Sequence, residues 1–358
     1  MKSKRIFDYV RDVNVALIFN GGENHIDKTF FYLTEAKSGI FEDSALYVKS
    51  GEIKIITSEL EETAARETGF DILTFKNRNE FSEILKKLFE KDITIGINYS
   101  SLTLELYKDI LNIIPDKEFI DISQSIFEAR KIKEEDEIKK IREAARLASD
   151  SFKDVLQKIR EGMTETEVAS EMVYAMMKNG ASGESFNTIV GFGKNSAIPH
   201  YSPGKYKLRK NDFVLIDYGA LYQRYSSDIT RTFIFGKASE EQKMMYETVK
   251  KAQSESMKSI KENENGRSID KIARDIIDST KYKGRFIHSL GHGVGMDVHD
   301  HSALSPSYDF ILKSNMVVTD EPGIYIPGFG GVRIEDDVLV KKDGYEQITT
   351  APKDLIEL

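Results

Sequence analysis

From about residue 134 the chain lays out one structural plan twice. A long stretch over about 134–160 sets Ile138, Ile141, Ala145, Ala148, Phe152, Val155 and Ile159 at three- or four-residue steps, the spacing of one helix face. EGMTETEV (161–168) follows, where Thr164 and Glu167 form a capping box that starts a second helix. Strand-like segments come next: SFNTIVGF, DFVLIDYG and RTFIFG. The plan then restarts with a box at Ser239 and Gln242, a helix over about 240–261, and a shorter helix opened by ENGRSIDKI (264–272). Gly162-Met163-Thr164 and Gly266-Arg267-Ser268 hold matching places, in halves too divergent to be a repeat array. Two similar halves that face each other leave a cleft between their sheets, where sites commonly form.

Residues 1 to about 122 read differently. Short β-rich runs (VALIF at 15–19, SALYVK at 44–49, KIIT at 54–57, ITIGI at 93–97) alternate with helix-like stretches. NEFSEILKKLFEK, 79–91, is the clearest of those, with Phe81, Ile84, Leu85 and Leu88 at helical spacing. That alternation predicts a small α/β domain. At 358 residues the chain exceeds one average core. The charged run around 123–133 is read as a connection, and 134–358 as a second, larger α+β domain.

Composition removes several function classes. The net charge is −8 and no basic block exists, which argues against a nucleic-acid partner. No apolar run reaches membrane-spanning length, and MKSKRIFDYVRDVN has no apolar core behind its positive charges, so neither a membrane span nor a secretion signal is expected. Cysteine is absent, which excludes disulfides and thiolate metal sites and fits a cytoplasmic protein. Any metal must be held by His, Asp and Glu.

Four of the six histidines fall in HSLGHGVGMDVHDH, 288–301, with Gly291, Gly293 and Gly295 around His292. Nearby are two candidate hairpins. In 212–236, a turn between Tyr222 and Gln223 would put Asp217 directly across from Asp228. In 317–340, a turn near Gly328 puts Glu321 and Glu335 at symmetric positions. Two carboxylates ~4 Å apart at an effective dielectric of ~20 repel by ~4 kcal/mol. Solvated strand ends or pairing with Arg224, Arg231 and Arg333 would explain either hairpin alone about as well. Two such hairpins plus a glycine-embedded histidine favour a metal site, and so many oxygens with a single nitrogen suit Mn²⁺ or Co²⁺, with Zn²⁺ and Fe²⁺ also admissible.

DYGALYQRYSSDITRTF, HSLGHGVGMDVHD, TDEPGIYIPG and GVRIEDD together resemble the creatinase/methionine-aminopeptidase superfamily (metallopeptidase family M24), and within it the Xaa-Pro dipeptidases, or prolidases, and Xaa-Pro aminopeptidases. The resemblance covers nearly all of 125–358. The N-terminal part is similar in size, in α/β pattern and in FFYLT (30–34). It implies a pita-bread catalytic domain of two pseudo-symmetric halves behind a creatinase-like α/β domain. It also implies a homodimer and two divalent metal ions on Asp217, Asp228, His292, Glu321 and Glu335. Gly291, Gly293 and Gly295 would let backbone approach closely and leave space beside the metal-bound imidazole. His200 and His299 match histidines that line the site without binding metal. His288 is expected to be structural, and His25 and His301 to lie at the surface. Asp300-His301-Ser302 departs from the Glu and nearby Pro of many bacterial members, around the proline-side pocket.

The implied reaction is hydrolysis of the peptide bond before proline in Xaa-Pro dipeptides by a metal-bridging hydroxide, with Glu321 as general base. His200 and His299 would orient substrate and stabilise the tetrahedral intermediate. Arg333 would hold Glu335 or the substrate carboxylate, or simply pair with Asp336 or Asp337. The compact chain favours a dipeptidase over an aminopeptidase acting on longer peptides. The third alternative is a non-catalytic relative that binds peptide in the same cleft.

Overall fold

The computed structural model describes residues 2–22, 25–300 and 303–358, and divides into two compact units, Met1–Arg130 and Lys131–Leu358.

The first unit is built on a six-stranded mixed sheet. Its order is Asp71–Phe75, Glu52–Ser58, Ser44–Lys49, Val15–Asn20, Thr94–Ile97 and Glu118–Asp121. The four inner strands are those legible in the sequence, because both their faces are largely buried. The two edge strands are half exposed and carry no clear alternation. Helix Arg78–Leu88 starts where the Asn77 side chain accepts from the N–H groups of Asn79 and Glu80, and it buries Phe81 and Leu85. FFYLT lies in the buried helix Lys28–Thr34. The stretch read as a connection is mostly a helix, Ser123–Lys131, whose Ile126 and Ala129 are buried.

In the second unit each half has its own core and its own three-stranded antiparallel sheet. The first half packs helices Glu135–Leu156 and Glu165–Lys178 on strands Ile189–Phe192, Asp212–Tyr218 and Ile229–Phe235, through Phe152, Val168, Met172, Val214 and Phe233. The second packs helices Glu240–Met257 and Gly266–Asp278 on strands Val317–Asp320, Asp336–Lys341 and Gly344–Gln347, through Met245, Val249, Ile269, Val318 and Val338. Capping boxes form at Thr164 and Ser239, and a further one at Glu134 opens the first long helix.

The internal match needs one correction. Thr164 corresponds to Asn265, not to Ser268. Each caps its helix, each makes a lone bridge to a distant segment (Thr164 to Lys207, Asn265 to Ile311), and each follows a left-handed residue, Gly162 or Asn263. Gly266 is already helical, and the Asn265 side chain accepts from the Arg267 N–H, so the cap lies three residues before the place that the tripeptide match gives it, Ser268.

Arg231 bonds the strands of the two halves together. Fully buried, it donates to the Asp336 carboxylate at 2.7 Å and to the carbonyls of Thr230, Glu335, Ala351 and Pro352. A buried guanidinium is tolerable only when its donors are matched in this way.

Candidate active site

Asp217 does not face Asp228 across the first hairpin. Its cross-strand partner is Thr230, and Tyr218 faces Ile229. The turn is made by Gln223 and Arg224, at φ of 46° and 70°, one residue later than the sequence suggested. Two consecutive positive φ values define a primed two-residue turn, formed here without Asn-Gly. The register therefore shifts by two residues. Strand side chains alternate with period two, so Asp228, just outside its strand, stays on the face of Asp217 as a diagonal neighbour. Its N–H is fixed at 2.9 Å by the Asp337 carboxylate.

The second hairpin keeps the expected register. Gly323 pairs with Arg333 and Asp320 with Asp336, so Glu321 and Glu335 fall opposite each other in the gap between two ladders. Pro322 has no N–H and cannot continue the ladder. At this break the Glu321 N–H turns to the Leu290 carbonyl at 2.8 Å, and the Glu335 N–H to the Thr230 carbonyl at 3.1 Å. The interruption thus ties the hairpin to the histidine segment on one side and to the first hairpin on the other.

The glycines beside His292 act chiefly through close approach. A Cβ on Gly291 would lie 2.0 Å from the Thr319 carbonyl oxygen, so only glycine lets this segment press against Val317–Asp320. A Cβ on Gly295 would meet the Asp300 carboxylate at 2.5 Å. That carboxylate is paired with Lys133 at 2.9 Å in the interior, next to His299. The Thr319 hydroxyl accepts from the His292 N–H at 3.0 Å and donates to Glu321 at 3.3 Å.

The His292 tautomer follows from its contacts. Nδ1 lies 3.1 Å from the Gly293 carbonyl, which can only accept, so Nδ1 carries the proton. The Nε2 lone pair then faces Asp228 Oδ2 at 3.5 Å and Glu321 Oε1 at 3.4 Å. Ligand atoms of Asp228, His292 and Glu335 lie within 4.8 Å of one another. Asp217 Oδ1 and Asp228 Oδ1 are buried without a hydrogen-bond partner. Burial, reinforced by the other carboxylates, pushes Asp228 and Glu335 well above the usual carboxylate range. Glu321 is raised to about 8 by burial, against the pull of Arg333. Burial and then His299 lower His292 to about 3. Acceptors crowded so closely that only protons relieve their repulsion when no cation is bound are what a divalent cation fits.

All five expected ligands line one cavity of about 570 Å³, together with His200, His299, His288 and Arg333. His299 packs edge-on against His292, ring centroids 4.1 Å apart, and burial lowers its pKa. His200 is exposed at the cavity wall. His288 bridges the Ser289 carbonyl and the Tyr325 hydroxyl, both at 2.8 Å, and does not join the ligand cluster. Arg333 bonds neither Glu335 nor Asp336 nor Asp337. It donates to Asp217 at 2.6 Å, to Thr230 at 3.0 Å and to Tyr325 at 2.8 Å. His25 belongs to the first unit, and His301 lies outside the described residues.

Sequence reasoning missed Thr230, Thr319, Tyr325, Asp337 and Lys133. Asp337 entered only as a possible partner of Arg333, and Lys133 only as part of a charged connection. Their roles depend on partners distant in sequence, so no local pattern marks them.

Residues 139–342 match the model of metallopeptidase family M24, and residues 10–132 that of the Creatinase/Prolidase N-terminal domain. The chain is 39% identical over 312 residues to a Xaa-Pro dipeptidase of Pyrococcus furiosus, covering 87% of this chain and 88% of the relative. Among solved structures, the X-Pro aminopeptidase from Thermotoga maritima superposes with a TM-score of 0.92 at 35% identity, over 97% of this chain and 98% of that one. The Xaa-Pro dipeptidase from Bacillus anthracis gives 0.92 at 35%, over 100% and 99%. The α+β class, with a creatinase-type domain before the pita-bread catalytic domain, is the one the sequence resemblance implied. No helix among the described residues is long and apolar enough to cross a membrane. A cavity that gathers carboxylates around the unprotonated Nε2 of an imidazole, on a chain matched along most of its length by these relatives, has one family to answer to: the protein is a member of metallopeptidase family M24.

Proposed function

We propose that the protein hydrolyses the peptide bond before proline in Xaa-Pro dipeptides. The observation that carries this is the convergence of Asp217, Asp228, His292, Glu321 and Glu335 on one cavity, with the His292 lone pair aimed among carboxylates. These five residues hold two divalent cations. Mn²⁺ or Co²⁺ suits the oxygen-rich donors best, and Zn²⁺ and Fe²⁺ are compatible with them. When bound, the cations supply the Lewis acidity that lowers the pKa of water and polarises the scissile carbonyl.

The chain's own groups do the rest. Glu321, oriented by the Thr319 hydroxyl, takes the proton from the attacking water and returns it to the leaving imino nitrogen. His299 is neutral at pH 7 because its pKa is lowered, so it acts as a hydrogen-bond donor without bringing a second positive charge into the site. With His200 it orients the substrate and stabilises the developing oxyanion. Arg333 holds Asp217 through its terminal nitrogen and is itself fixed by Thr230 and Tyr325. The resemblance also supports a homodimer, and the absence of cysteine a cytoplasmic location.

The names of the Pyrococcus furiosus and Bacillus anthracis relatives support the dipeptidase reading. The Thermotoga maritima structure favours a second one, an aminopeptidase that removes the residue before proline from longer peptides. A panel of Ala-Pro, Ala-Pro-Ala and Ala-Ala with Mn²⁺ or Co²⁺ separates them. A dipeptidase should cleave Ala-Pro much faster than Ala-Pro-Ala, and Ala-Ala not at all. Equal rates on the dipeptide and tripeptide would establish the aminopeptidase. No cleavage of either would defeat both readings.

A further inference from the structure

His200 sits in a stretch held chiefly on either side of it: the Ile198 N–H donates to the Asn195 carbonyl, Arg333 reaches the Pro199 carbonyl at 3.5 Å, and Thr166 donates to the carbonyls of Pro203 and Gly204. After the short 3-10 turn Gly193–Ala197, the chain runs through Ile198, Pro199, His200, Tyr201, Ser202 and Pro203 without regular structure. Among the described residues, His200, Tyr201 and Ser202 make no backbone hydrogen bond, and the His200 ring makes none either. The polar tether in these three residues is the Tyr201 hydroxyl, which donates to Glu165 at 2.9 Å.

Glu165 is the first residue of helix Glu165–Lys178 and is fully buried. It has no cationic partner among the described residues. Four donors satisfy it instead. Oε1 accepts from the Phe192 N–H and the Asn195 amide, both at 2.9 Å, and Oε2 from the Tyr201 hydroxyl and the Gly204 N–H at 3.0 Å. The Asn195 amide also donates to the Tyr201 oxygen at 3.0 Å. The helix N-terminus favours a negative charge at this position, and the four donors replace its lost hydration. These donors come from both ends and the middle of 192–204, so one carboxylate closes that segment into a loop with His200 on its cavity side.

We propose that Glu165 is a positioning residue for His200, acting through Tyr201 and never touching substrate. Gln has the shape of Glu but only one acceptor oxygen, and its amide would point donors at donors. Glu165→Gln therefore releases part of the loop while leaving the metal ligands alone. The kinetic arm of the test rests on the peptidase reading above, and a spectroscopic arm does not.

In the kinetic arm, Mn²⁺-loaded Glu165→Gln keeps the wild-type metal content and loses about tenfold or more in kcat on Ala-Pro. Tyr201→Phe reproduces the loss and stands in if Glu165→Gln does not fold. The double variant is no worse than the poorer single one, because both remove the same bond. Thr164→Ala, which weakens the same helix at its cap, lowers Tm and leaves kcat unchanged. In the spectroscopic arm, the His200 ring signals, assigned by their loss in His200→Ala, move in Glu165→Gln and Tyr201→Phe but not in Thr164→Ala. Unchanged kcat at full metal content, or losses that multiply in the double variant, would overturn the proposal. If the wild type cleaves none of the peptides, unmoved His200 signals in Glu165→Gln and Tyr201→Phe overturn it on their own.

Discussion

His292 shows how much of the site is decided by a single proton. With Nδ1 committed to the Gly293 carbonyl, its other nitrogen can only accept, and the groups it faces, Asp228 and Glu321, are themselves acceptors. Without a cation, protons are the remaining way to relieve the repulsion, and the raised carboxylates reflect this. Burial lifts Glu321 from its ordinary 4.5 to about 8, and Asp228 and Glu335 move the same way. A raised folded-state pKa means that metal-free folded protein keeps a proton the unfolded chain has lost, so stability declines as pH rises toward about 8. His292 and His288, lowered from 6.5 to about 3, act oppositely, but only below about 6.5. Between about pH 6.5 and 8, Tm of chelator-treated protein should therefore fall. Mn²⁺-loaded protein should stay flat over the same window, since the metal displaces those protons. Thermal scans at several pH values check this, and a rising Tm for the metal-free form would contradict it. Arg333 belongs to the same scale. Lys cannot reach Asp217, Thr230 and Tyr325 together, so Arg333→Lys should cost roughly 10–100-fold in kcat/KM although the charge is kept. Unchanged kcat/KM in that variant would leave Arg333 without the assigned role.

At the scale of elements, the sequence was legible wherever one residue type forces a geometry. The boxes at Thr164 and Ser239 could be read directly, and so could the second hairpin, whose glycine-rich turn leaves little choice of register. The first hairpin could not be read to the residue, because Gln223 and Arg224 adopt positive φ with no glycine or asparagine to announce it. The face survived the error because a shift of two preserves strand parity. The edge strands Asp71–Phe75 and Glu118–Asp121 and the helix Ser123–Lys131 escaped notice because half-exposed or charged segments carry little periodicity. Lys133 escaped for another reason: its partner Asp300 is far along the chain. That pair is buried, with side chains 1% and 3% exposed, and it sits beside His299. Lys133→Met would remove the cation paired with a buried carboxylate and should destabilise the protein by about 3–5 kcal/mol. Lys133→Met combined with Asp300→Leu should recover most of that, because an apolar replacement of both partners removes both buried charges together. Denaturant unfolding of the single and double variants checks this, and equal losses in both would refute the pairing argument.

At the scale of the whole molecule, the repeated plan of the catalytic unit explains why distant residues meet. Each half supplies its own helices, core and sheet, and the ligand set draws on both. Asp217 and Asp228 come from the first half, and His292, Glu321 and Glu335 from the second. The ligand candidates could be picked from the sequence because each hairpin offers a pair of carboxylates on one face, a histidine sits among glycines, and the family resemblance points to the same five residues. The network that holds them crosses between the halves at Thr230 and Asp337 and runs within the second half at Thr319 and Tyr325, and it became visible only in the folded chain.

We propose that these five residues hold catalytic metal while the neighbouring histidines act on substrate. Metal content by mass spectrometry, measured with turnover of Ala-Pro after reconstitution with Mn²⁺, tests it most directly. Wild-type protein should hold two Mn²⁺ per chain, Asp228→Asn and His292→Ala should be depleted of metal, and His299→Ala should keep full metal with much reduced turnover. Wild-type activity that persists after all divalent metal is removed, or loss of both metals in His299→Ala, would contradict it.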